Sequence, residues 1–438
     1  LNSLRVRLGV LGLALLTGFT APTAASAAES VPSPTVEEQR LDKDVPREIL
    51  RRSGFDSVAP RLGRALDAAR SYGQARRAVA REGTQLWRRA VDRAQGRGPA
   101  EYEGREALPW KGGGGRRAGL SRDDDRPLYW ARLGMTREVR TWEPEFGLTD
   151  RQRAALLDEL ERTSRGQADL LPHSRLRPSG ETPLPHGKDL KRILVTGFDP
   201  FTLDRDIRIS NPSGATALAL DGMVIETADG PARVETAVFP VRWRDFTEGT
   251  VERTLRPHLP KVDLFMTVSQ GRVGRFDVER TNGAWRGGFA DNDNIGRTET
   301  VPVTDPASQP QWTTTTLPYR AIVAADTGRF PVYDNTGVTE IPAGGTEPVV
   351  RPDGPTPGST ARAGGGGDYL SNEIAYRATL LRDRLGLHDV LPGGHVHTPV
   401  LQFGAGNTTE VTDPEFVRNR LDIITQVRTI LRVAAEES

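Results

Sequence analysis

Residues 190–222 read LKRILVTGFDPFTLDRDIRISNPSGATALALDG, and the class of fold is decided here. Residues 192–196 (RILVT) are a short aliphatic, β-branched run closed by Gly197, the pattern of a strand buried on both faces. Asn211 and Pro212 follow in the order of an N-cap and a first helical residue, so a helix is predicted over 212–220. Strand, turn and capped helix make one βα unit, and the texture continues downstream. Strands are predicted at 233–241, 262–269, 330–334 and 394–402, and helices at 243–257, 315–327, 369–385 and 414–436. In the last helix Val417, Leu421, Ile424, Val427 and Leu431 recur at helical spacing, the expected core-facing stripe. Such alternation predicts an α/β sandwich with a largely parallel sheet, whose chemistry belongs in the loops after the carboxyl ends of the strands.

Upstream the texture is different. Residues 61–100 hold ten basic residues against three acidic ones, with Leu62, Leu66, Tyr72, Val79, Leu86 and Val91 loosely on one helical face. This block reads as a solvated amphipathic helix or helical pair. Its functional alternative is contact with cell-wall polymer or another anionic surface. Glycines at 112–115 and the triplet Asp123 to Asp125 break the helical pattern, and a second helix is predicted over 149–165. Residues 172–187 form a Pro/Gly linker, dividing a charged, mostly helical region (28–187) from the α/β domain (188–438). Arg5 and Arg7, the apolar run 8–20 and Ala25-Ser26-Ala27 predict a signal peptide over 1–27 and a secreted, extracytoplasmic protein. Residues 337–367 are predicted to be an irregular inserted loop, too rich in Gly and Pro for regular structure.

The net charge is +1, so composition gives no argument for nucleic acid, and none is expected as a partner. There is no cysteine, which excludes disulfides, thiolate metal sites and a cysteine nucleophile. His395 and His397 share a strand face and are compatible with two metal ligands, but a third is not evident, and no metal or cofactor is expected. The pattern does not set an oligomeric state.

Ten short segments occur in a telling order: ILVTGFDPF (193–201), NPS (211–213), LDG (220–222), FPV (239–241), the strand at 262–269, DVER (277–280), TLP (316–318), FPV (330–332), GDYLSN (367–372) and GHVHTP (394–399). In this series residues 190–436 resemble the pyroglutamyl peptidase I (pyrrolidone-carboxylate peptidase) family. The resemblance implies a three-layer α/β/α sandwich that removes an amino-terminal pyroglutamyl residue from a small peptide, or cleaves a related lactam-bearing amide or ester. It places the family's catalytic glutamate at Glu279 and its histidine at His397. The family's cysteine falls on Ser371.

Serine, histidine and glutamate suffice for a nucleophile, its base and the group that orients the base. Ser371 lies near the start of the helix predicted at 369–385, where unpaired N–H groups favour developing negative charge. A serine, unlike a thiolate, must lose its proton during attack, so two readings stay open: a serine hydrolase, or an inactive fold that binds a peptide or lactam. The resemblance further implies Phe198 and Phe201 on the lactam ring, with both as core residues the alternative, and Gln270 as a substrate contact. An arginine expected before the Asp291-Asn292 pair is missing, with Arg286 as the nearest substitute.

Overall fold

The computed structural model describes residues 33–97, 119–170 and 190–437. The signal segment (1–27), the glycines at 112–115 and the linker at 172–187 lie outside these residues.

The amino-terminal region is helical: α1 (Val36–Gln39), α2 (Asp44–Ser53), α3 (Val58–Asp67), α4 (Tyr72–Ala94), α5 (Arg126–Thr141) and α6 (Asp150–Thr163). Thr149 opens α6 in a capping box with Gln152. Leu62, Leu66, Val79, Leu86 and Val91 are buried with Leu128, Met135 and Val139 of α5 and Leu156 and Leu160 of α6. The same cluster includes Ala217, Leu218 and Val238 of the following domain. This corrects the expectation of a solvated helix over 61–100, because the apolar face is covered by α5, α6 and the α/β domain. The triplet at 123–125 lies outside helical structure, as expected, just before α5. It is buried: Arg420 pairs with Asp123 at 2.6 Å, Arg126 pairs with Asp124 at 2.5 Å, and Asp125 accepts from the Asn211 amide at 3.0 Å.

The α/β domain is built on seven strands: β1 (Lys191–Phe198), β2 (Val224–Thr227), β3 (Gly230–Phe239), β4 (Leu264–Gln270), β5 (Phe276–Glu279) and two later ones. Between β5 and the sixth come four short strands, β6 (Thr281–Gly283), β7 (Trp285–Arg286), β8 (Glu299–Thr300) and β9 (Trp312–Thr314). The sixth is β10 (Val332–Asn335). After β11 (Val338–Ile341), β12 (Val349–Arg351) and β13 (Thr360–Ala363), the last is β14 (Gly393–Thr398). Across the sheet the order is β10-β5-β14-β4-β1-β3-β2. Four of the six pairings are parallel; β14 with β5 and β2 with β3 are antiparallel.

Helices α7 (Pro212–Leu220), α8 (Trp243–Thr247), α9 (Thr250–Leu255), α10 (Tyr319–Ala324), α11 (Leu370–Arg384) and α12 (Pro414–Glu436) complete the domain. The period of two along β1 sorts them into layers. Ile193 and Val195 pack with Phe416, Ile423 and Val427 of α12, while Leu194 packs with Ile374 and Ala378 of α11. Helices on both faces of a mostly parallel sheet make three layers.

Two further expectations are corrected. Of the predicted α12 stripe, Ile424, Val427 and Leu431 are buried, together with Phe416, Ile423 and Ile430, whereas Val417 is half-buried and Leu421 is 46% exposed. Arg420 is buried instead, against Asp123 and Asp124, a partner that an apolar stripe does not register. Residues 337–367 are ordered: β11, β12 and β13 form an antiparallel sheet whose Pro and Gly residues fall mainly between strands. Among the described residues no helix is long and apolar enough to cross a membrane.

Candidate active site

Strands β5 and β14 bring the first two predicted residues together. Their antiparallel register sets Glu279 opposite His395 and Asp277 opposite His397, so Glu279 and His397 are diagonal neighbours on one face. A 2.8 Å hydrogen bond joins His397 Nδ1 to Glu279 Oε1. With Nδ1 as donor, a neutral imidazole keeps its acceptor at Nε2. Glu279 is fully buried, and its second oxygen accepts from Asn335 Nδ2 at 2.7 Å; the same nitrogen donates to the Gly365 carbonyl at 2.7 Å. Arg272 stands 4.0 Å from Glu279 Oε1 and donates to Asp277 at 2.8 Å.

His395 is committed elsewhere. Its ring nitrogens lie 2.8 Å from Thr267 Oγ1 and from Ser269 Oγ. Burial, and then the nearby His397 ring, push its pKa well below the ordinary histidine range, so it stays neutral. Among the described residues no group of three or more His, Asp or Glu side chains is arranged to hold a metal ion.

Ser371 is the second residue of α11. Its N-cap, Tyr369, makes no side-chain cap, and the first helical bond into that turn runs from the Glu373 amide to the Tyr369 carbonyl. The amides of residues 370 to 372 therefore precede the helical ladder and form the positive end of the helix. Asn372 fixes this turn against β6 and β7, accepting from Gly283 N at 2.9 Å and donating to the carbonyls of Gly283 and Trp285.

The chain reaches Ser371 through a glycine hairpin, with Gly364 and Gly367 exchanging backbone hydrogen bonds at 2.8 and 3.0 Å. A β-carbon on Gly366 would overlap the His397 imidazole, so this position requires glycine. The Ser371 hydroxyl lies 3.4 Å from the Gly366 carbonyl. Serine and histidine thus border the same residue, with the hydroxyl turned to the carbonyl and not hydrogen-bonded to the imidazole.

Two residues before Ser371, Tyr369 is the centre of an aromatic cluster. Its ring is 5.9 Å from Phe201, 5.3 Å from Trp243 and 5.6 Å from Phe289; Phe289 is 60% exposed, and Trp243, at 1% exposure, backs the cluster from the core. Phe201 is half-buried here. Phe198 is not: at 3% exposure it stacks on Phe246 in the core, because β1 turns it inward. Gln270 closes β4, and its side-chain oxygen accepts from Leu401 N at 3.2 Å. Arg286 is buried, donating to Glu299 at 2.6 Å and to Thr247 at 2.9 Å, with Glu373 3.5 Å away.

Sequence reasoning missed Asn335, Arg272, Asp277, Trp243 and Tyr369 as parts of the site. Tyr369 was within reach, because it stands two positions before Ser371. Asn335 and Arg272 carry no local signal; only the pairing of β10 with β5 and the turn after β4 bring them to Glu279.

Two family descriptions match the chain. The PA0049 N-terminal domain covers residues 20–161, and the PA0049 C-terminal domain covers residues 192–307 and 329–402. The uncharacterized protein PA0049 of Pseudomonas aeruginosa is 33% identical over 511 residues, spanning 90% of this chain and 88% of its own. Among solved structures, pyroglutamyl peptidase I of Bacillus amyloliquefaciens is similar at 20% identity and a TM-score of 0.38, over 56% of this chain and 97% of its own. The pyrrolidone carboxyl peptidase of Thermococcus litoralis is similar at 21% identity and a TM-score of 0.38, over 56% and 93%.

Proposed function

The chain belongs to the PA0049 family in both of its domains, and from that premise we propose that it is an exported hydrolase of pyroglutamyl-peptidase type, acting through Ser371, His397 and Glu279. The observation that carries this reading is the buried 2.8 Å bond between His397 Nδ1 and Glu279, beside a serine at an uncapped helix start. In this reading Glu279 holds the imidazole so that Nε2 is its base. The Ser371 hydroxyl rotates from the Gly366 carbonyl to Nε2, loses its proton as it attacks the scissile carbonyl, and forms a tetrahedral intermediate. The first-turn amides of α11 face its oxyanion. His397 then gives the proton to the amine nitrogen as the C–N bond breaks and the amine leaves, and water, deprotonated by the same base, attacks the resulting acyl-enzyme to release the acid and the free serine. In this reading the flat lactam of a pyroglutamyl peptide lies in a slot bounded by the accessible rings of Phe201, Tyr369 and Phe289, with the buried Trp243 behind them.

A second reading rests on one observation. The Ser371 hydroxyl faces the Gly366 carbonyl and not the imidazole, which favours a protein that binds the lactam without cleaving it.

Release of a fluorophore from a pyroglutamyl amide by the full chain separates the two. Hydrolase function predicts turnover that Ser371→Ala lowers by at least about 10³-fold, with the melting temperature unchanged. Saturable binding without turnover, with activity gained in Ser371→Cys, supports the binding protein. No binding and no turnover in any of the three sinks both.

A further inference from the structure

The loop carrying Phe289 is gripped from the opposite side by the amino-terminal region. Glu37, on α1, is 1% exposed. Its Oε1 accepts from Asn292 Nδ2 at 3.1 Å and from the Tyr129 hydroxyl at 2.8 Å, and its Oε2 accepts from Arg242 at 3.0 Å. Asn292 Nδ2 also donates to the Pro200 carbonyl at 2.9 Å, one residue before Phe201, and the Asn292 amide donates to Val241 at 2.9 Å, two residues before Trp243. Arg40 donates to the Asn292 carbonyl and, at 2.9 Å, to Asp204. On the slot side, the Tyr369 hydroxyl donates to the Ala290 carbonyl at 3.1 Å.

The turns bearing Phe201 and Phe289, and the turn bearing the buried Trp243 behind them, therefore meet at one buried amide, and that amide is held by a carboxylate from another domain. A neutral asparagine joining these turns needs only local acceptors. A buried carboxylate has to be supplied with donors, and Tyr129, Arg242 and Asn292 are placed for it. We propose that the helical amino-terminal region is a working part of the substrate slot, with Glu37 the positioning residue that sets the Phe289 loop against Tyr369 through Asn292. Glu37 touches none of the reacting groups. Its contribution is to ligand affinity, not to the chemical step. This rests on the reading of the slot as the pyroglutamyl site.

The test uses Glu37→Ala and Glu37→Gln in the full chain, with two readouts. The first is the split between KM and kcat on a pyroglutamyl amide, or the Kd for pyroglutamate by calorimetry if the chain binds without turnover. Glu37→Ala raises KM or Kd by about tenfold with kcat unchanged, the scale of one lost buried anchor. Glu37→Gln keeps an acceptor for Asn292 and restores most of the affinity. The second is amide hydrogen exchange over residues 287–295, which needs no ligand and accelerates in Glu37→Ala. Unchanged exchange in folded Glu37→Ala overturns the proposal whatever the substrate is. Faster exchange with no pyroglutamyl ligand bound by the parent chain overturns the choice of ligand and leaves the positioning role standing. Equal losses in kcat and kcat/KM, with KM constant, overturn the assignment to binding.

Discussion

The helical region of residues 33–170 and the insert of residues 337–367 both reach the start of α11, the first through Asn292 and the second through the glycine hairpin at 364–367. They are attached in opposite ways. The helical region shares a core with the α/β domain, contributing Leu86, Leu128 and Leu160 to a cluster with Ala217, Leu218 and Val238. It also sends charge across the boundary: Arg165 reaches Asp199 at 2.5 Å, and Trp87 donates to Asp221 at 3.3 Å. The insert makes its own small sheet around a buried glutamate, Glu340, held by Arg351 and Thr356 within the insert. One attachment is a shared interior. The other is a small sheet of its own, tied to the domain by contacts such as Ala361 N to Gln311 and Trp312 to Ser359, and joined to the site through glycines. A segment of the first kind is inseparable from the fold, whereas the second changes the site through the geometry of its exit.

The largest expected effect follows from the shared core. Residues 188–438 alone expose the apolar faces of Ala217, Leu218 and Val238 and lose the Arg132 and Arg165 partners of Asp199. With stability normally a margin of only about 5 to 15 kcal/mol, the loss of this shared interior is expected to leave the fragment without a cooperative thermal transition. A sharp melt of the fragment, with calorimetric and van't Hoff enthalpies in agreement, breaks the comparison. The insert predicts a change of chemistry without a change of fold. In Gly366→Ala the new methyl group collides with the His397 ring, and either the imidazole or the hairpin must move. Turnover is expected to fall about 10²-fold, the scale of a misplacement of about 1 Å, while the melting temperature shifts little. Loss of fold in this variant, or full activity, places the hairpin outside the machinery.

The same contrast explains what was legible in the sequence. The βα units of the sheet were, because β1 is a short β-branched run, α7 opens on the Asn211 cap and Pro212, and α12 shows Ile424, Val427 and Leu431 at helical spacing. Glu279, His397 and Ser371 were reached through the order of short segments, and their chemistry alone did not single them out. The N-terminal helices were read as solvated because what covers their apolar face, and what pairs with the charges around it, comes from segments remote in sequence. Arg420, Arg126, Arg165 and Glu37 look like surface residues until their partners, remote in sequence, are known. β5 was missed because FDVE holds two carboxylates, both buried, that only Arg272, Arg275, His397 and Asn335 make tolerable. In the insert, glycine and proline content concealed the strands VTEI, VVR and TARA between the turns.

The smallest expected effect is a pH signature of opposite sign in the two segments. At the domain boundary, burial and then the neighbouring Asp124 carboxylate push Asp125 up to about 7 from an ordinary 3.8. A raised pKa means that the folded chain holds a proton the unfolded chain has released. This contribution is complete below about pH 4 and is lost as pH rises through about 7, a slope of at most about 1.4 kcal/mol per pH unit. In the insert, burial pushes Glu340 up, but hydrogen bonds from Thr356 and Arg351 more than offset it and leave the group at about 2. Its contribution is present above about pH 4.5 and is lost as pH falls through about 2. Urea midpoints from pH 3 to 8 therefore separate the two. Asp125→Asn is expected to flatten the decline between pH 5 and 7 and leave the acid limb alone. Glu340→Gln should flatten the acid limb and leave the decline above pH 5 alone. If Asp125→Asn declines with the parent's slope, the boundary carboxyl is not what titrates there, and the contrast in sign between the two segments is broken.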